Sequence, residues 1–342
     1  MRSSTARIVL AFDIIASGAL VTAAFWLTGA LLEPGEPVRR AVVPLALATV
    51  PPDVPEQWLW VQDYRTGYPV YTQAGINNLL ALAVRDGFTD LLLAARPDTS
   101  ASLWFSSSLL PVNSRRIDGL APGGYLIREA HKRGVRVHIW WYLGYWAYDS
   151  YPGARSAWNL ANSMDGRCNQ LAWVNWDDAG ARGMMVAVAG DLLAQNPGVD
   201  GIHFDYIRYH HTATGCPTAT PDDVTAFLRA VRAVMGDAEL SVSISGNRSR
   251  NELVKRDVPG WLGEGLVDEA LVMSYTSVPM SEKLAYIAGL PEQWRIVPGV
   301  PSNATKAVLC AQVAQWRGAG FRDFGVFDSV TWTQGMAECF DN

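Results

Sequence analysis

Strand and helix signals alternate along most of this chain, and that alternation restricts the fold more than any other feature of the sequence. Short apolar runs predict strands at 58–63, 90–96, 135–143, 199–207, 240–245, 269–275, 295–300 and 323–329. Longer amphipathic segments predict helices at 74–86, 123–133, 179–195, 221–235, 251–265 (broken), 281–288, 305–318 and 331–339. Eight such units over roughly 280 residues predict an α/β protein, a (β/α)8 TIM barrel.

An open, doubly wound parallel sheet is the alternative architecture for the same order of elements. Such sheets often carry a glycine-rich phosphate-binding turn after the first strand. No such turn follows residues 58–63. The barrel is therefore favoured.

Composition places the chain among globular proteins. Hydrophobic residues make up 49%, charged residues 18%, and the formal net charge is −5. No basic stripe appears along the sequence, which argues against a nucleic-acid partner. The long apolar strands and the 14 tryptophans indicate a large core, and tryptophans in loops also suit flat ligands such as sugar rings.

The N-terminal region is predicted to lie outside the barrel. Arg2 and Arg7 precede an apolar stretch from residue 8 to 32 that only Asp13 interrupts. This pattern is typical of an export signal, and its length also allows it to remain as a membrane anchor. We expect residues 1–32 to be signal or anchor, 33–56 a linker and 57–342 the catalytic domain, with an extracytoplasmic location.

Four cysteines fit disulfides better than a metal site, since their spacing matches no zinc motif. An even count in an exported chain favours pairing. Their order suggests Cys168–Cys216 and Cys310–Cys339. The alternative is four unpaired cysteines that serve as small hydrophobic residues.

Asp205 is the leading candidate for chemistry. It ends the strand predicted at 199–207, where Ile202 and Phe204 alternate with His203 and Asp205. One face is therefore apolar and toward the helices, while the other faces the barrel interior. Barrel enzymes hold their catalytic groups at this end of the strands. Capping of the following turn is the structural alternative for Asp205.

Two long loops are predicted on the same end of the barrel as Asp205, at 97–122 and 144–178. The second is rich in aromatic residues, among them Trp146. An aromatic wall beside a carboxylate suits a carbohydrate, since the C–H faces of sugars pack on aromatic rings.

Other candidate residues lie at the ends of the remaining strands. Asp63, Asp98 and Asp328 are candidates for a second catalytic carboxyl group, and an ordinary loop ion pair is the structural alternative for Asp98. The candidate substrate-binding residues, for most of which ordinary packing is the alternative, are Arg96, His138, Trp140, His203, Tyr206, Arg208, Tyr275 and Trp146. No cofactor and no metal are expected.

Three motifs resemble the glycosyl hydrolase-like 10 family. They are the Asp-Gly-Ile-His-Phe-Asp run at 200–205, Arg-Pro-Asp at 96–98 with Leu-Trp-Phe at 103–105, and Arg-Gly-Val-Arg-Val-His-Ile-Trp at 133–140. The resemblance covers about residues 57–340. It implies a bacterial (β/α)8 protein that hydrolyses a polysaccharide, with the glycan strands of peptidoglycan or another cell-surface glycan as the substrate. It departs from the family at Tyr206, where many members carry a second acid.

Glycoside hydrolysis needs two carboxyl groups that flank the scissile bond. We assign Asp205 as the nucleophile or base and expect the acid among Asp63, Asp98 and Asp328. A non-catalytic carbohydrate-binding barrel is one alternative, since the fold does not guarantee activity. A metal-dependent hydrolase that uses His203, Asp205, His210 and His211 is another.

Overall fold

The computed structural model describes residues 54–62, 68–95, 102–143, 176–208, 219–275 and 278–341, and the backbone of three strands between 145 and 174. Eight parallel strands form a closed barrel in the spatial order β1-β11-β10-β9-β8-β7-β3-β2. These strands are β1 (Gln57–Val61), β2 (Asp90–Ala94), β3 (Arg136–Tyr142), β7 (Gly201–Asp205), β8 (Glu239–Ser245), β9 (Glu269–Met273), β10 (Ile296–Pro301) and β11 (Phe324–Phe327). The predicted (β/α)8 barrel is confirmed, and each predicted strand is present in order.

Helices follow the strands around the outside of the barrel. They are α1 (Gln73–Arg85), α2 (Pro122–His131), α3 (Ala179–Gln195), α4 (Pro221–Met235), α5 (Arg248–Leu253), α6 (Val258–Gly263), α7 (Met280–Ala288) and α8 (Lys306–Gly318). The helix predicted as broken is the pair α5 and α6. The last predicted helix is instead a 3-10 helix at Gln334–Phe340, which makes i to i+3 hydrogen bonds.

Local sequence signals explain where several helices begin. The Thr220 side chain accepts a hydrogen bond from the Asp223 N–H, and Asp223 accepts one from the Thr220 N–H, so that the two form a capping box around Pro221. Thr72 and Asp178 cap α1 and α3 more simply, since the side-chain oxygen of each accepts one backbone N–H from the first turn of its helix. These caps fix the points at which the chain leaves each strand-to-helix loop.

A layer of large side chains fills the barrel interior. Trp58, Trp60 and Trp140 are fully or almost fully buried there. Gly325 makes room for one of them, since a Cβ at this position would lie 2.5 Å from the Trp60 ring. The interior is therefore a packed core below the C-terminal end of the strands, as in other barrels of this type.

A second core lies between the strands and the helices. Ile202 and Phe204 belong to it, and the Phe204 ring lies 5.6 Å from that of Phe227 on α4. His203 points the opposite way and meets the edge of Trp60 in the interior, with 5.6 Å between the ring centroids. The predicted orientation of this strand is thus confirmed.

The chain between β3 and α3 differs from the expectation of a loop. It contains a small antiparallel sheet of β4 (Tyr145–Tyr148), β5 (Met164–Cys168) and β6 (Leu171–Val174), in the order β4-β6-β5. The aromatic residues that we interpreted as a ligand-binding wall also have a high strand propensity, which accounts for the strands β4 and β6.

One of the two predicted disulfides is present. Cys310 on α8 is bonded to Cys339 in the terminal 3-10 helix, with 4.7 Å between their Cα atoms. The predicted Cys168–Cys216 pair falls outside the described residues, as do residues 1–53. Within the described part of the chain, no helix has the length and apolar character needed to cross a membrane.

Candidate active site

A cavity of about 330 Å³ opens at the C-terminal end of the barrel strands. The strands β3, β7, β8, β9 and β11 and the loops after them supply its walls. The lining residues are Gln62, Trp140, Tyr142, Asp205, Tyr206, Arg208, Ser245, Arg250, Val254, Arg256, Met273, Tyr275 and Phe327. Five of these were predicted from the sequence as site residues: Trp140, Asp205, Tyr206, Arg208 and Tyr275.

Asp205 is the one carboxylate among the described residues that line the cavity. It is the last residue of β7 and only 7% exposed. One oxygen, Oδ1, accepts the Tyr206 N–H at 2.7 Å, and Oδ2 accepts the Trp140 Nε1–H at 3.3 Å. Tyr206 has a positive φ of 53°, an uncommon conformation for a residue other than glycine that often marks a functional turn.

Burial raises the pKa of Asp205 above its ordinary value, because a charged carboxylate loses its hydration there. The Tyr206 N–H, Arg256, Arg208 and Trp140 all oppose this effect without cancelling it. Asp205 therefore holds a proton to higher pH than an exposed aspartate. A buried carboxyl of this kind is suited to proton transfer.

Aromatic rings surround the carboxyl group. The Trp140 and Tyr142 rings lie 4.6 Å apart, and Tyr275 stacks on Phe327 at 5.2 Å. Burial raises the pKa of Tyr275 well above 10, and the charges of Asp205, Tyr206 and Asp328 raise it further. Tyr275 thus stays a neutral hydroxyl, which can donate or accept a hydrogen bond. These rings give the cavity an apolar wall of the kind on which sugar faces pack.

Three arginines complete the cavity, and two of them were missed in the sequence. Arg250 lies on α5, and Arg256 lies between α5 and α6, in the loop region after β8. Arg256 is only 4% exposed, and its Nε–H donates to the Ile207 carbonyl at 3.1 Å. Arg208 lies over the Tyr206 ring, 4.6 Å from its centroid. For Arg250 and Arg256, the one sequence signal of a place in the site was that they follow a predicted strand, at the end of the barrel that carries catalytic groups.

Asp328 lies beside this cavity rather than in its lining. It follows β11 and borders a neighbouring space of about 290 Å³ that shares Gln62 and Phe327 with the first. It is 8% exposed, and its Oδ1 accepts the Val330 N–H at 3.0 Å. Because the two spaces share Gln62 and Phe327, Asp205 and Asp328 lie in one region at this end of the barrel.

The two histidines predicted to bind substrate do not line the cavity. His138 is fully buried with its Nε2 2.8 Å from Asp90 Oδ1, and β2 begins at Asp90, at the opposite end of the barrel. His203 is also fully buried, and its two ring nitrogens lie 2.9 and 2.8 Å from the hydroxyls of Ser241 and Ser243. The structure therefore does not bring either histidine to the cavity, because alternation along a strand selects the interior face but not the height along the barrel axis.

The position of His203 also weakens the metal-dependent alternative. Burial lowers its pKa well below the ordinary value, and both of its nitrogens are engaged by serine hydroxyls. Among the described residues, no three potential ligands are grouped as a metal ion would need. The other predicted members of that cluster, His210 and His211, fall outside the described residues.

Four further predicted site residues cannot be placed. Asp63, Arg96 and Asp98 lie outside the described residues. Trp146 lies on β4, where the structure describes only the backbone. Their assignments remain predictions.

Comparison with known proteins supports the fold. No family model matches the chain, and no curated protein matches its sequence. The glycoside hydrolase domain of PgaB (BpsB) from Bordetella bronchiseptica has a similar structure, with a TM-score of 0.60 at 15% identity over 83% of this chain and 97% of that one. A chitinase from Chromobacterium violaceum gives a TM-score of 0.53 at 10% identity, over 84% and 98% of the two chains. A chitinase from Rhizomucor miehei gives 0.53 at 11%, over 83% and 98%.

Proposed function

We propose that this protein is a glycoside hydrolase that cleaves a polysaccharide, with Asp205 at the reacting bond. The observation that carries the proposal is the placement of one buried carboxyl group with a raised pKa inside an aromatic-walled cavity at the C-terminal end of the barrel. The glycoside hydrolase domains and chitinases with the same fold support it. Membership of the glycosyl hydrolase-like 10 family, and a glycan of peptidoglycan or another cell-surface glycan as substrate, are parts of the same proposal.

The raised pKa suggests a division of roles that differs from the sequence-based expectation. A carboxyl group that retains its proton is suited to donate it to the departing glycosidic oxygen. We therefore assign Asp205 as the proton donor rather than the nucleophile or base. Asp328 is our first candidate for the ionised partner, because it lies at the same end of the barrel. Asp63 and Asp98 remain the other candidates.

Two carboxyl groups can carry out the proposed hydrolysis in one displacement or in two. Asp205 transfers its proton to the leaving oxygen as the bond to the anomeric carbon breaks. In an inverting reaction the second carboxylate takes a proton from the water that attacks that carbon. In a retaining reaction it attacks the carbon itself, and Asp205, which is then ionised, takes a proton from the water that cleaves the glycosyl-enzyme bond, so that both carboxyl groups return to their starting states. Tyr142, Tyr275 and Phe327 supply apolar surface for the sugar rings.

We also propose that residues 8–32 direct the protein out of the cytoplasm, either as a cleaved signal or as an anchor, and that 57–342 form the catalytic domain. An extracytoplasmic enzyme would meet cell-surface glycans, which agrees with the proposed substrate. The Cys310–Cys339 disulfide supports this location, since disulfides persist in oxidising compartments.

The test is reducing-end release from a polysaccharide panel that includes denuded peptidoglycan glycan strands. Asp205→Asn is expected to lower kcat by about a thousandfold or more, since general acid catalysis contributes about 10²–10⁴-fold. Asp328→Asn, Asp63→Asn and Asp98→Asn identify the partner by the same assay. Asp118→Asn is the matched control, because Asp118 is an exposed aspartate paired with Arg128 at 2.8 Å.

A second substrate separates the role of proton donor from that of nucleophile. An aryl glycoside of the released sugar with a good leaving group needs little protonation, so Asp205→Asn should cleave it with a much smaller defect than it shows on the polysaccharide. Equal defects on both substrates would return Asp205 to the role of nucleophile. Activity that is unaffected by Asp205→Asn would contradict the proposal.

A non-catalytic carbohydrate-binding barrel is the second candidate. The observation that favours it is that, among the described residues, Asp205 alone contributes a carboxylate to the cavity lining, whereas hydrolysis needs two. Saccharide binding without release of reducing ends by the wild-type protein would establish this candidate instead.

A further inference from the structure

Arg256 is a buried cation whose hydrogen-bonding groups are only partly used. Its Nε–H donates to the Ile207 carbonyl, but its buried Nη2 has no hydrogen-bond partner among the described residues. It lines the cavity and is 4% exposed. An isolated buried charge is costly in free energy unless an opposite charge or a strong acceptor compensates for it. A ligand is one such source of compensation.

Asp205 does not compensate for this charge by direct contact. The two groups attract each other, but both oxygens of Asp205 are engaged by the Tyr206 and Trp140 N–H groups. Burial, together with Arg208, lowers the pKa of Arg256 to about 10. The guanidinium remains charged at neutral pH and lies in an environment that disfavours the charge.

The cavity as a whole is positively charged, as Arg256 is. Among the described residues, its lining contains three arginines (Arg208, Arg250 and Arg256) and one carboxyl group, whose pKa is raised. The complete chain carries a net charge of −5, so this positive region does not follow from overall composition. A cavity of this sign attracts anionic ligands and repels cationic ones.

A second buried group in the same cavity has unused hydrogen-bonding capacity. The Ser245 Oγ at the end of β8 has no partner among the described residues, although Ser245 is only 2% exposed. The lining of this one cavity therefore holds both an O–H and an N–H donor without a partner among the described residues. A carboxylate accepts about four hydrogen bonds and matches the planar fork of an arginine.

We propose that Arg256 and Arg250 form a subsite for the carboxylate of an acidic sugar, so that the polysaccharide substrate is a carboxylated glycan. The inference deepens the proposed function and rests on it. Arg256 and Ser245 would hold the carboxylate at the base of the cavity, and the exposed Arg250 would contact it from the rim. The substrate class therefore comprises glycans that contain uronic acids or sugars with a carboxyalkyl ether.

Matched pairs of glycans test this subsite directly. The probes are oligosaccharides of polygalacturonate and of hyaluronan and denuded peptidoglycan glycan strands, each also prepared in its carboxyl-reduced form. Binding is measured by titration calorimetry on the full-length Asp205→Asn protein, which the proposed mechanism predicts to be inactive. At least one carboxylated probe should bind, and carboxyl reduction should weaken its binding at least tenfold. Binding of no carboxylated probe, or equal binding of both forms, would overturn the subsite.

Variants connect the binding to the two arginines. Arg250→Ala should weaken binding of the carboxylated probe about tenfold and leave binding of the reduced form within twofold. Arg256→Lys keeps the charge but loses the planar fork and should show the same selective loss. Arg248→Ala is the matched control, because Arg248 is exposed on the same helix and does not line the cavity. If Arg250→Ala has no selective effect, the subsite is wrong even where Arg256→Lys fails to fold.

The outcomes separate failure of the subsite from failure of the proposed function. Asp205-dependent hydrolysis of a neutral polysaccharide, with no effect of Arg250→Ala, would refute the subsite and leave the glycoside hydrolase standing. Arg250-dependent binding of a carboxylated glycan that the wild type never cleaves would refute the hydrolase and retain the subsite.

Discussion

Charged side chains have different surroundings at the two ends of the barrel. At the N-terminal end of the strands, Arg136 lies 2.7 Å from Asp90, 2.5 Å from Glu56 and in contact with Glu239. His138 adds a contact of 2.8 Å to Asp90. At the C-terminal end, the arginines and Asp205 instead face an open cavity. Breaking a buried ion cluster leaves an uncompensated charge in the fold, whereas side chains that line a cavity lie where a ligand can contact them.

The direction of the pKa shifts reflects this difference. Burial raises the pKa of Asp90, but His138 and Arg136 outweigh it, so the net shift is downward. Burial also raises the pKa of Asp205, and there the neighbouring groups do not outweigh it. A lowered pKa means that folding favours the ionised form, and a raised pKa means that folding favours the protonated form.

The N-terminal end is not fully compensated either. Glu269 at the start of β9 is near Glu56 and Glu239, and burial and these carboxylates raise its pKa well above 4.5. Carboxylates outnumber cations in this cluster, so like charges oppose the ionisation of Glu269. The side chains of this cluster nevertheless contact one another, whereas those at the other end line a cavity.

The largest expected effect on stability comes from Asp90→Asn. Asp90→Asn removes one of the three carboxylates that contact Arg136 and the carboxylate 2.8 Å from His138. Breaking this buried cluster should cost about 3–5 kcal/mol of unfolding free energy at pH 7. Because the pKa of Asp90 is lowered, its contribution is present above the unfolded pKa of about 3.9 and is lost as pH falls through the folded pKa. Urea unfolding at several pH values measures the loss of unfolding free energy and its dependence on pH.

Two further measurements complete this prediction. Activity per folded molecule should be unchanged in Asp90→Asn, since the residue lies at the opposite end from the cavity. Asp118→Asn, at an exposed pair, should change stability by about 0.5 kcal/mol or less. An Asp90→Asn protein as stable as the wild type would remove the distinction between the two ends.

Gly201→Ala should have the next largest effect. A Cβ at this position would lie 2.5 Å from the Glu239 carbonyl oxygen and 2.5 Å from His138 Nδ1. The expected loss is about 1–3 kcal/mol from overpacking of the N-terminal cluster. Gly183→Ala on α3 is the matched control, because nothing lies within 4 Å of its Cβ. That control should stabilise the helix by up to about 1 kcal/mol.

Sequence reasoning predicted the barrel because its signals are local. Alternating apolar residues identified each strand, and in β7 the same alternation correctly placed Ile202 and Phe204 outside and His203 inside. It could not assign height along the barrel axis. In the sheet, His138 pairs with Gly201, whereas Tyr142 pairs with Asp205. The interstrand register, which no single strand encodes, therefore puts Tyr142 at the cavity and His138 below it.

Arg256 was missed for a related reason. It lies between two short helices, where no periodicity marks an inward-facing residue, and it meets Ile207 only through the tertiary fold. Tyr142 was missed although it lies on a predicted strand, because nothing local distinguishes a cavity tyrosine from a packed one. Cavities are assembled from the ends of several elements, so their membership depends on contacts that are distant in sequence.

Asp205→Asn should stabilise the protein, in contrast to Asp90→Asn. Above its folded pKa the wild type carries a buried carboxylate whose pKa is raised. The neutral amide removes that cost, which we expect to be about 1 kcal/mol net of the hydrogen bond lost because an NH2 group cannot accept the Trp140 N–H. The gain should be largest above the folded pKa and should vanish below the unfolded pKa of about 3.9, where the wild-type carboxyl is also neutral. Thermal unfolding from pH 3 to pH 8 measures this dependence. A loss of stability at pH 7 would mean that Asp205 belongs with the paired charges.

The smallest expected effect is a shift in a pH profile. Trp140 donates its indole N–H to Asp205 at 3.3 Å and so stabilises the ionised form. Trp140→Phe removes that donor and should raise the pKa of Asp205. If Asp205 is the proton donor, the alkaline limb of kcat/KM moves upward by the same amount, because the acid stays protonated to higher pH. Trp58→Phe is the matched control at the other end of the barrel, where the indole N–H donates to Glu56 at 3.2 Å. An equal shift in both variants would show that the alkaline limb does not depend on the hydrogen bond to Asp205 in particular. A downward shift in Trp140→Phe would show that the limb is not the titration of Asp205 as the proton donor.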